Sequence, residues 1–287
     1  DTGIGGELLI DLQGGELRIG KVPRGLNLMS GSTVHLSRHE ISGCIQIPDP
    51  VFDSLKTGDE VLLDDGKLLI RVEKITDVIT SRVIQGGSLS SDKSIKVVDK
   101  DLHGALLTDQ DKENLLLCND YGVTAIMQPF VTSAAELIKI REFLDANSIT
   151  GLRLFAKIED RLGVTNLEEI IPYADMIVIA RGDLGNAVPL WELPKIQKEI
   201  SQTCIENNMP FLVVTQMLSS MISSPVPTRA EVSDIFNAVL DGASAVMVTN
   251  ETAIGSYPAE VISYLQKTVE CAEEYIAQYY TDISSDE

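Results

Sequence analysis

From Leu102 onward, short continuous apolar runs alternate with amphipathic segments long enough to be helices, and no other feature of the sequence restricts the fold as much. Val123 to Gln128, Leu152 to Lys157, Met176 to Ala180, Phe211 to Thr215 and Ala245 to Val248 have the unbroken apolar character of strands covered on both faces. Glu7 to Asp11 reads as an earlier member of the set. Helix starts are marked by capping boxes, in which a hydroxyl satisfies an orphan N–H and an acid three residues later reaches back. The spacing fits Thr108 with Asp111, Ser133 with Glu136, Thr165 with Glu168 and Thr228 with Glu231. Gly122 and Gly242 stand directly before strands, where a helix ends in a left-handed residue, and Pro258 suits the first turn of the last long helix. Repeated units of this kind build either a barrel or a doubly wound parallel sheet.

Residues 16–98 follow a different rhythm. Thr33 to Leu36, Glu60 to Leu63, Leu68 to Val72 and Val78 to Val83 alternate with period two, and no long helical pattern interrupts them. Asp65-Gly66 between two apolar runs is a hairpin signal, and Gly86-Gly87 is a second break. The segment is expected to be a small β domain inserted into a discontinuous core of residues 1–15 and 99–287. With 287 residues the chain is long enough to bury a large interior without disulfide staples. Its cysteines (Cys44, Cys118, Cys204, Cys271) lack C-x-x-C spacing, so bridges and zinc knuckles are not expected and a reducing cytoplasm is.

The formal charge of −20 is spread along the chain, which disfavours nucleic acid and anionic membrane as partners by Coulomb repulsion. A phosphorylated substrate remains compatible, provided that metal ions and cations gather locally against the global field. No apolar run approaches the roughly 20 residues that span a bilayer, and a cytoplasmic protein is expected.

Functional residues of parallel barrels sit where strands run into the following loops. Lys157 and Glu159 end one apolar run in Phe155-Ala156-Lys157-Ile158-Glu159 and, two residues apart, leave on the same side. Asp183 follows the next run in Ala180-Arg181-Gly182-Asp183-Leu184-Gly185, and Thr215 closes the run after that. One cation, two hard oxygen ligands and a hydroxyl therefore converge on one rim. A Glu and an Asp, with other positions left to water and substrate, suit Mg²⁺ or Mn²⁺. An isolated K-x-E is more often a surface ion pair; its place at a strand end, with the Asp on the next strand, argues for a site. Gly182 and Gly185 either make a tight loop or let backbone N–H groups approach an anion. His35, His39 and His103 lack ligand spacing and are expected on the surface or in packing.

These segments resemble the pyruvate kinase family. Phe155 to Asp160 is similar to its K-I-E strand, Ala180 to Gly185 to its A-R-G-D-L-G, and Val214 to Met221 to its T-Q-M-L-x-S-M; Pro227 to Asp234 and Asn237 to Gly242 continue the likeness. Leu63 to Leu68, Gly86 to Leu89 and Asp11 to Gly14 with Leu17-Arg18 resemble the family's lid domain and its junction. The resemblance implies a TIM-type (β/α)8 barrel, here incomplete, with an inserted small β-barrel lid. It also implies phosphoryl transfer from phosphoenolpyruvate to ADP, giving pyruvate and ATP, with Mg²⁺ or Mn²⁺ and possibly K⁺, in a homo-oligomer. Carried over by residue, Glu159 and Asp183 hold the metal and Lys157 stabilises the transferring phosphoryl group. Thr215 binds the substrate carboxylate and helps deliver a proton to the enolate, Gly182 and Asp183 offer backbone N–H groups to that carboxylate, and Arg18 reaches phosphate.

The sequence also departs from the family pattern. It starts at what corresponds to the third barrel strand, so six strands are expected where eight would close a barrel, and a C-terminal regulatory domain has no counterpart. Gly15-Glu16, Ser94, Lys96, Pro129 and Ser219 differ from the residues usual at those places, and Thr249 to Gly255 has Ile254 where the family has lysine. The metal and enolate half is thus intact and the nucleotide half altered. Two other readings follow: a metal-dependent lyase acting on a pyruvate enolate (oxaloacetate decarboxylase or aldolase), or an inactive binding protein of the same fold.

Overall fold

The structure, a computed structural model, describes residues 6–100, 102 and 104–279. In chain order the strands are β1 (Leu9–Asp11), β2 (Leu26–Leu28), β3 (Thr33–Ser37), β4 (Cys44–Gln46), β5 (Glu60–Leu63), β6 (Leu68–Ile75), β7 (Val78–Gln85), β8 (Gly87–Leu89) and β9 (Ile95–Val97). They continue with β10 (Ala125–Gln128), β11 (Arg153–Ile158), β12 (Met176–Ala180), β13 (Phe211–Val214) and β14 (Ala245–Met247). The chain forms two compact units: residues up to Asp11 together with those from Cys118 onward, and Leu12–Leu117.

In the first unit the apolar runs pair in parallel, in the order β1-β10-β11-β12-β13-β14. This is the parallel sheet that the alternation implied and the incomplete barrel sheet that the resemblance implied. Alternation within each strand divides its residues between two faces. Ala125, Met127, Phe155, Val178, Ala180, Leu212 and Val214 form one buried cluster, with Leu9, Met176, Ala245 and Met247 packed against it. The intervening residues, Ile126, Leu154, Ile177, Ile179 and Val213, are buried on the opposite face, where the covering helices lie. Helix Ala134–Ala146 buries Leu137, Ile140 and Leu144, and helix Leu193–Glu206 buries Ile196, Ile200 and Cys204. Burying such a side chain contributes about 1.5–3 kcal/mol each. β14 differs: all three of its residues are only half-buried, and among the described residues it pairs with β13 alone.

The second unit is the β domain. β4-β3-β7-β6-β5-β9 form a six-stranded sheet and β2-β8 a two-stranded ribbon. Leu28 and Leu89 from the ribbon join Val34, Leu36, Val61, Leu63, Ile70, Ile79 and Val97 from the sheet in one core. The Asp65-Gly66 signal is a hairpin: Asp64, Asp65 and Gly66 take φ of +50°, +54° and +80° between β5 and β6, which pair antiparallel. Among the described residues this unit also carries helix Asp49–Ser54, with Pro in its first turn, and helix Asp109–Leu116. Asp111, 1% exposed, accepts from the backbone N–H of Gln13 and Gly14 at 2.8 and 3.0 Å and from Thr108 at 2.9 Å, so helix Asp109–Leu116 is tied to the start of this unit.

Three of the four expected helix starts are where the capping pattern put them. Asp111 and Glu231 donate to Thr108 and Thr228 and reach back to their N–H groups, and Glu136 accepts from Thr132 and Ser133. Thr165 is a correction. Asp160, two residues after the end of β11, accepts from Gly163 N at 2.7 Å and starts a helix at Arg161, so Thr165 falls in its last turn and donates to Arg161 O at 2.8 Å. Gly122 and Gly242 take φ of +67° and +87°, and the last helix runs Pro258–Tyr279. The four cysteines, all among the described residues, form no disulfide, and Cys118 and Cys204 are buried. His35 and His39 are exposed, whereas His103 lies outside the described residues. No helix among the described residues is long and apolar enough to cross a membrane.

Glu231 links stability to pH. Burial pushes its carboxyl up, but bonds from Ser220 and Thr228 outweigh burial and hold it below the usual carboxylate range. A depressed folded pKa contributes stability that is present above the unfolded value and lost as pH falls through the folded one. Urea unfolding is expected to show stability declining from about pH 4.5 downward, with a shallower decline in Glu231→Gln; identical acid profiles would contradict this.

Candidate active site at the strand ends

Because β11, β12 and β13 are adjacent and parallel, the residues that follow their last inward-facing positions emerge at the same end. Lys157 continues the inward face of Phe155, and Glu159 follows it by one more step of two. Asp11 ends β1 two residues after inward-packed Leu9. Lys157 Nζ lies 3.2 Å from Glu159 Oε1 and 3.4 Å from each carboxylate oxygen of Asp11. The side chain of Lys157 is 15% exposed and that of Glu159 1%. The second oxygen of Glu159 accepts from Phe130 N at 2.8 Å, and Phe130 reaches it from the loop after β10 in a left-handed conformation, φ +52°.

Three carboxylates act on one ammonium. Burial alone would lower the Lys157 pKa, but Glu159, Asp11 and Asp183 together outweigh it and raise it above the ordinary lysine value. Glu159 is pushed up to about 7 by burial first and by the Asp183 charge; Lys157 and the Phe130 N–H oppose the shift without cancelling it. The cluster is short of positive charge, and its donors are hard carboxylate oxygens. That combination fits a hard divalent cation such as Mg²⁺ or Mn²⁺ better than it fits zinc or copper. Among the described residues no three His, Cys, Asp or Glu side chains form a metal cage.

Asp183 lies in the first turn of helix Arg181–Ala187, which starts directly from β12 without a side-chain cap. Thr215 follows β13 with φ +81°, and Gln216 with φ +58°. The strand therefore ends at Val214, one residue before the sequence reading. A β-branched residue in the left-handed region is an outlier, and such residues cost on the order of 1–3 kcal/mol each. Gly182 makes room for it: a Cβ at position 182 would stand 3.0 Å from Thr215 Cγ2. Lys157, Glu159, Asp183, Gly182 and Thr215 thus share one rim of the first unit. Arg18 belongs to the second unit, where its guanidinium bonds to Glu16 and to the Asp92 carbonyl, 2.7 Å away.

Sequence reasoning assigned no role to Asp11, Phe130 or Arg181. Asp11 carried a usable signal, an acid two residues past an inward-facing leucine at a strand end. The Phe130 contact is a backbone N–H and leaves no mark in the sequence. Arg181 was visible only as part of a motif; it bonds to the Thr215 carbonyl and pairs with Asp234 at 2.7 Å.

The pyruvate kinase barrel domain matches residues 3–262. The chain belongs to the pyruvate kinase family. It is similar to the pyruvate kinase of Agrobacterium vitis, with 38% identity over 277 residues, covering 93% of this chain and 56% of that protein. For the pyruvate kinase of Mycobacterium intracellulare the values are 38% over 281 residues, 95% and 59%. For that of Thermotoga maritima they are 36% over 280 residues, 96% and 60%. The chain spans about half the length of the curated relatives it matches.

Removing the ammonium leaves the Glu159 carboxylate buried beside Asp183 without its principal partner. In the metal-free protein, Lys157→Met is expected to raise the Glu159 titration midpoint above about 7, read by ¹³C NMR of the carboxyl carbon. An unchanged or lower midpoint would show that Lys157 does not hold Glu159 ionised.

Proposed function

We propose that the chain carries the metal and enolate half of a phosphotransferase that moves the phosphoryl group of phosphoenolpyruvate to ADP, giving pyruvate and ATP. The observation that carries this reading is the ammonium of Lys157 held among Asp11, Glu159 and Asp183 at the C-terminal ends of strands of one parallel sheet.

In this reading Glu159 and Asp183 hold Mg²⁺ or Mn²⁺. The ion, when bound, polarises the substrate carboxylate and enol oxygen as a Lewis acid. Lys157, kept protonated by the surrounding carboxylates, sets its charge against the equatorial oxygens of the phosphoryl group as the bond to the enol oxygen breaks and the bond to the ADP oxygen forms. Gly182 and Asp183 present backbone N–H groups to the substrate carboxylate at the uncapped helix start. Thr215 binds that carboxylate and passes a proton, through water, to the methylene carbon of the enolate. Arg18, on the second unit, is assigned a phosphate-binding role. The same reading makes the whole protein a cytoplasmic homo-oligomer that takes K⁺ as a monovalent cofactor.

A second reading uses the same rim without a nucleotide. Ile254, 72% exposed, stands where the resembling proteins have lysine, which favours enolate chemistry such as decarboxylation of oxaloacetate. Pyruvate release from phosphoenolpyruvate, with and without ADP, and from oxaloacetate separates the two. We expect ADP-dependent pyruvate formation that needs a divalent metal and falls about 10²–10³-fold in Lys157→Met, the loss typical of a charge aimed at the transition state. Release from oxaloacetate alone supports the lyase, and no release from either substrate under any divalent metal overturns both.

A further inference from the structure

Two consecutive non-glycine residues with positive φ, Thr215 at +81° and Gln216 at +58°, directly follow β13. The backbone itself gives threonine no reason to stay there, so the conformation must be held from outside. Arg181 supplies the hold. Its Nη2 and Nε donate to the Thr215 carbonyl at 2.7 and 3.2 Å, so two arms of a rigid fork grip one oxygen. The guanidinium is itself fixed. Nη1 lies 2.8 and 2.7 Å from the two oxygens of Asp234 on helix Arg229–Leu240, and 3.4 Å from Gln197 Oε1 on helix Leu193–Glu206. The Arg181 side chain is 11% exposed. On the other side the Thr215 methyl rests on Gly182, where a Cβ would come within 3.0 Å. Carbonyl and methyl are thus both fixed by the first two residues after β12, and those two contacts set the direction of the remaining substituent, the hydroxyl.

We infer that Arg181 is the positioning residue for Thr215, anchored by Asp234, and that it aims the Thr215 hydroxyl without itself touching substrate. This deepens the proposed function and rests on its assignment of the enolate proton to Thr215. The charge on Arg181 is secondary to its shape, since the contact that matters is made to a neutral carbonyl by two converging N–H groups. Lysine keeps the charge and loses the fork.

The test uses the full chain and pairs a structural with a chemical readout. With methyl-labelled threonine, the wild type is expected to show a strong nuclear Overhauser effect between the Thr215 methyl and the Gly182 α-protons. Arg181→Met is expected to lose that contact while the other threonine methyls keep their shifts. Arg181→Lys serves the same comparison if the methionine variant does not fold. The chemical readout is exchange of pyruvate methyl protons with D₂O in the presence of Mg²⁺, which reports proton traffic at the enolate carbon without phosphoryl transfer. A misplacement of about 1 Å is enough for a ~10²-fold loss. Arg181→Met is expected to fall by that order with the pyruvate KM little changed, and Arg181→Lys to fall by less. Persistence of the methyl contact in Arg181→Met overturns the inference. So does undiminished exchange in Arg181→Met when Thr215→Val abolishes it. If Thr215→Val itself leaves exchange unchanged, the proton assignment to Thr215 fails, and the methyl contact alone decides whether Arg181 positions the residue.

Discussion

An ammonium enclosed by carboxylates is the interaction on which the site depends. Lys157 is mostly buried, and a buried lysine would ordinarily lose its proton. It keeps the proton because Glu159 stands 3.2 Å away, Asp11 stands 3.4 Å away, and Asp183 adds a third negative field. Removing one partner of such a group typically costs about 3–5 kcal/mol, because the other charge is left buried and alone. The arrangement also overshoots. Glu159 stays pushed up to about 7 after Lys157 has been counted, and in the proposed reading that shortfall of positive charge draws a further cation to the rim.

Fold and chemistry meet in the strand order. The carboxylates come from the end of β1 and the segments after β11 and β12, and the hydroxyl from the segment after β13. Parallel pairing brings these ends to one side, and the inward apolar cluster of Met127, Phe155, Val178 and Val214 forms the floor beneath them. A side chain two residues beyond an inward-facing core residue then has only the rim to occupy. The helix beginning at Arg181 and the left-handed turn at Thr215 lean on each other across this rim, through Gly182 on one side and the Arg181 guanidinium on the other.

Much of this was legible in the sequence, for identifiable reasons. Strands buried on both faces leave continuous apolar runs, so the parallel sheet could be read, and period-two alternation put Lys157 and Glu159 on a common side. Caps at Thr108 and Thr228 are local and were readable; the one at Thr165 was displaced because Asp160 offered an acceptor five residues earlier. The end of the strand after Phe211 was read one residue long because the turn at Thr215 is held by Arg181, a contact made outside its own segment. Asp11 escaped notice as a partner of Lys157 for the same reason at a larger scale: 146 residues separate them in sequence. Local chemistry was visible, and pairings created by the tertiary fold were not.

The central claim is that the excess negative charge at this rim is the seat of a divalent ion shared by Glu159 and Asp183. Anomalous diffraction from crystals soaked in Mn²⁺ and oxalate, a planar mimic of the pyruvate enolate, addresses it directly. The account predicts one strong manganese peak within coordination distance of both carboxylates, with the oxalate lying between it and the Lys157 ammonium. A peak bound elsewhere, or one that touches only one of the two residues, would contradict it.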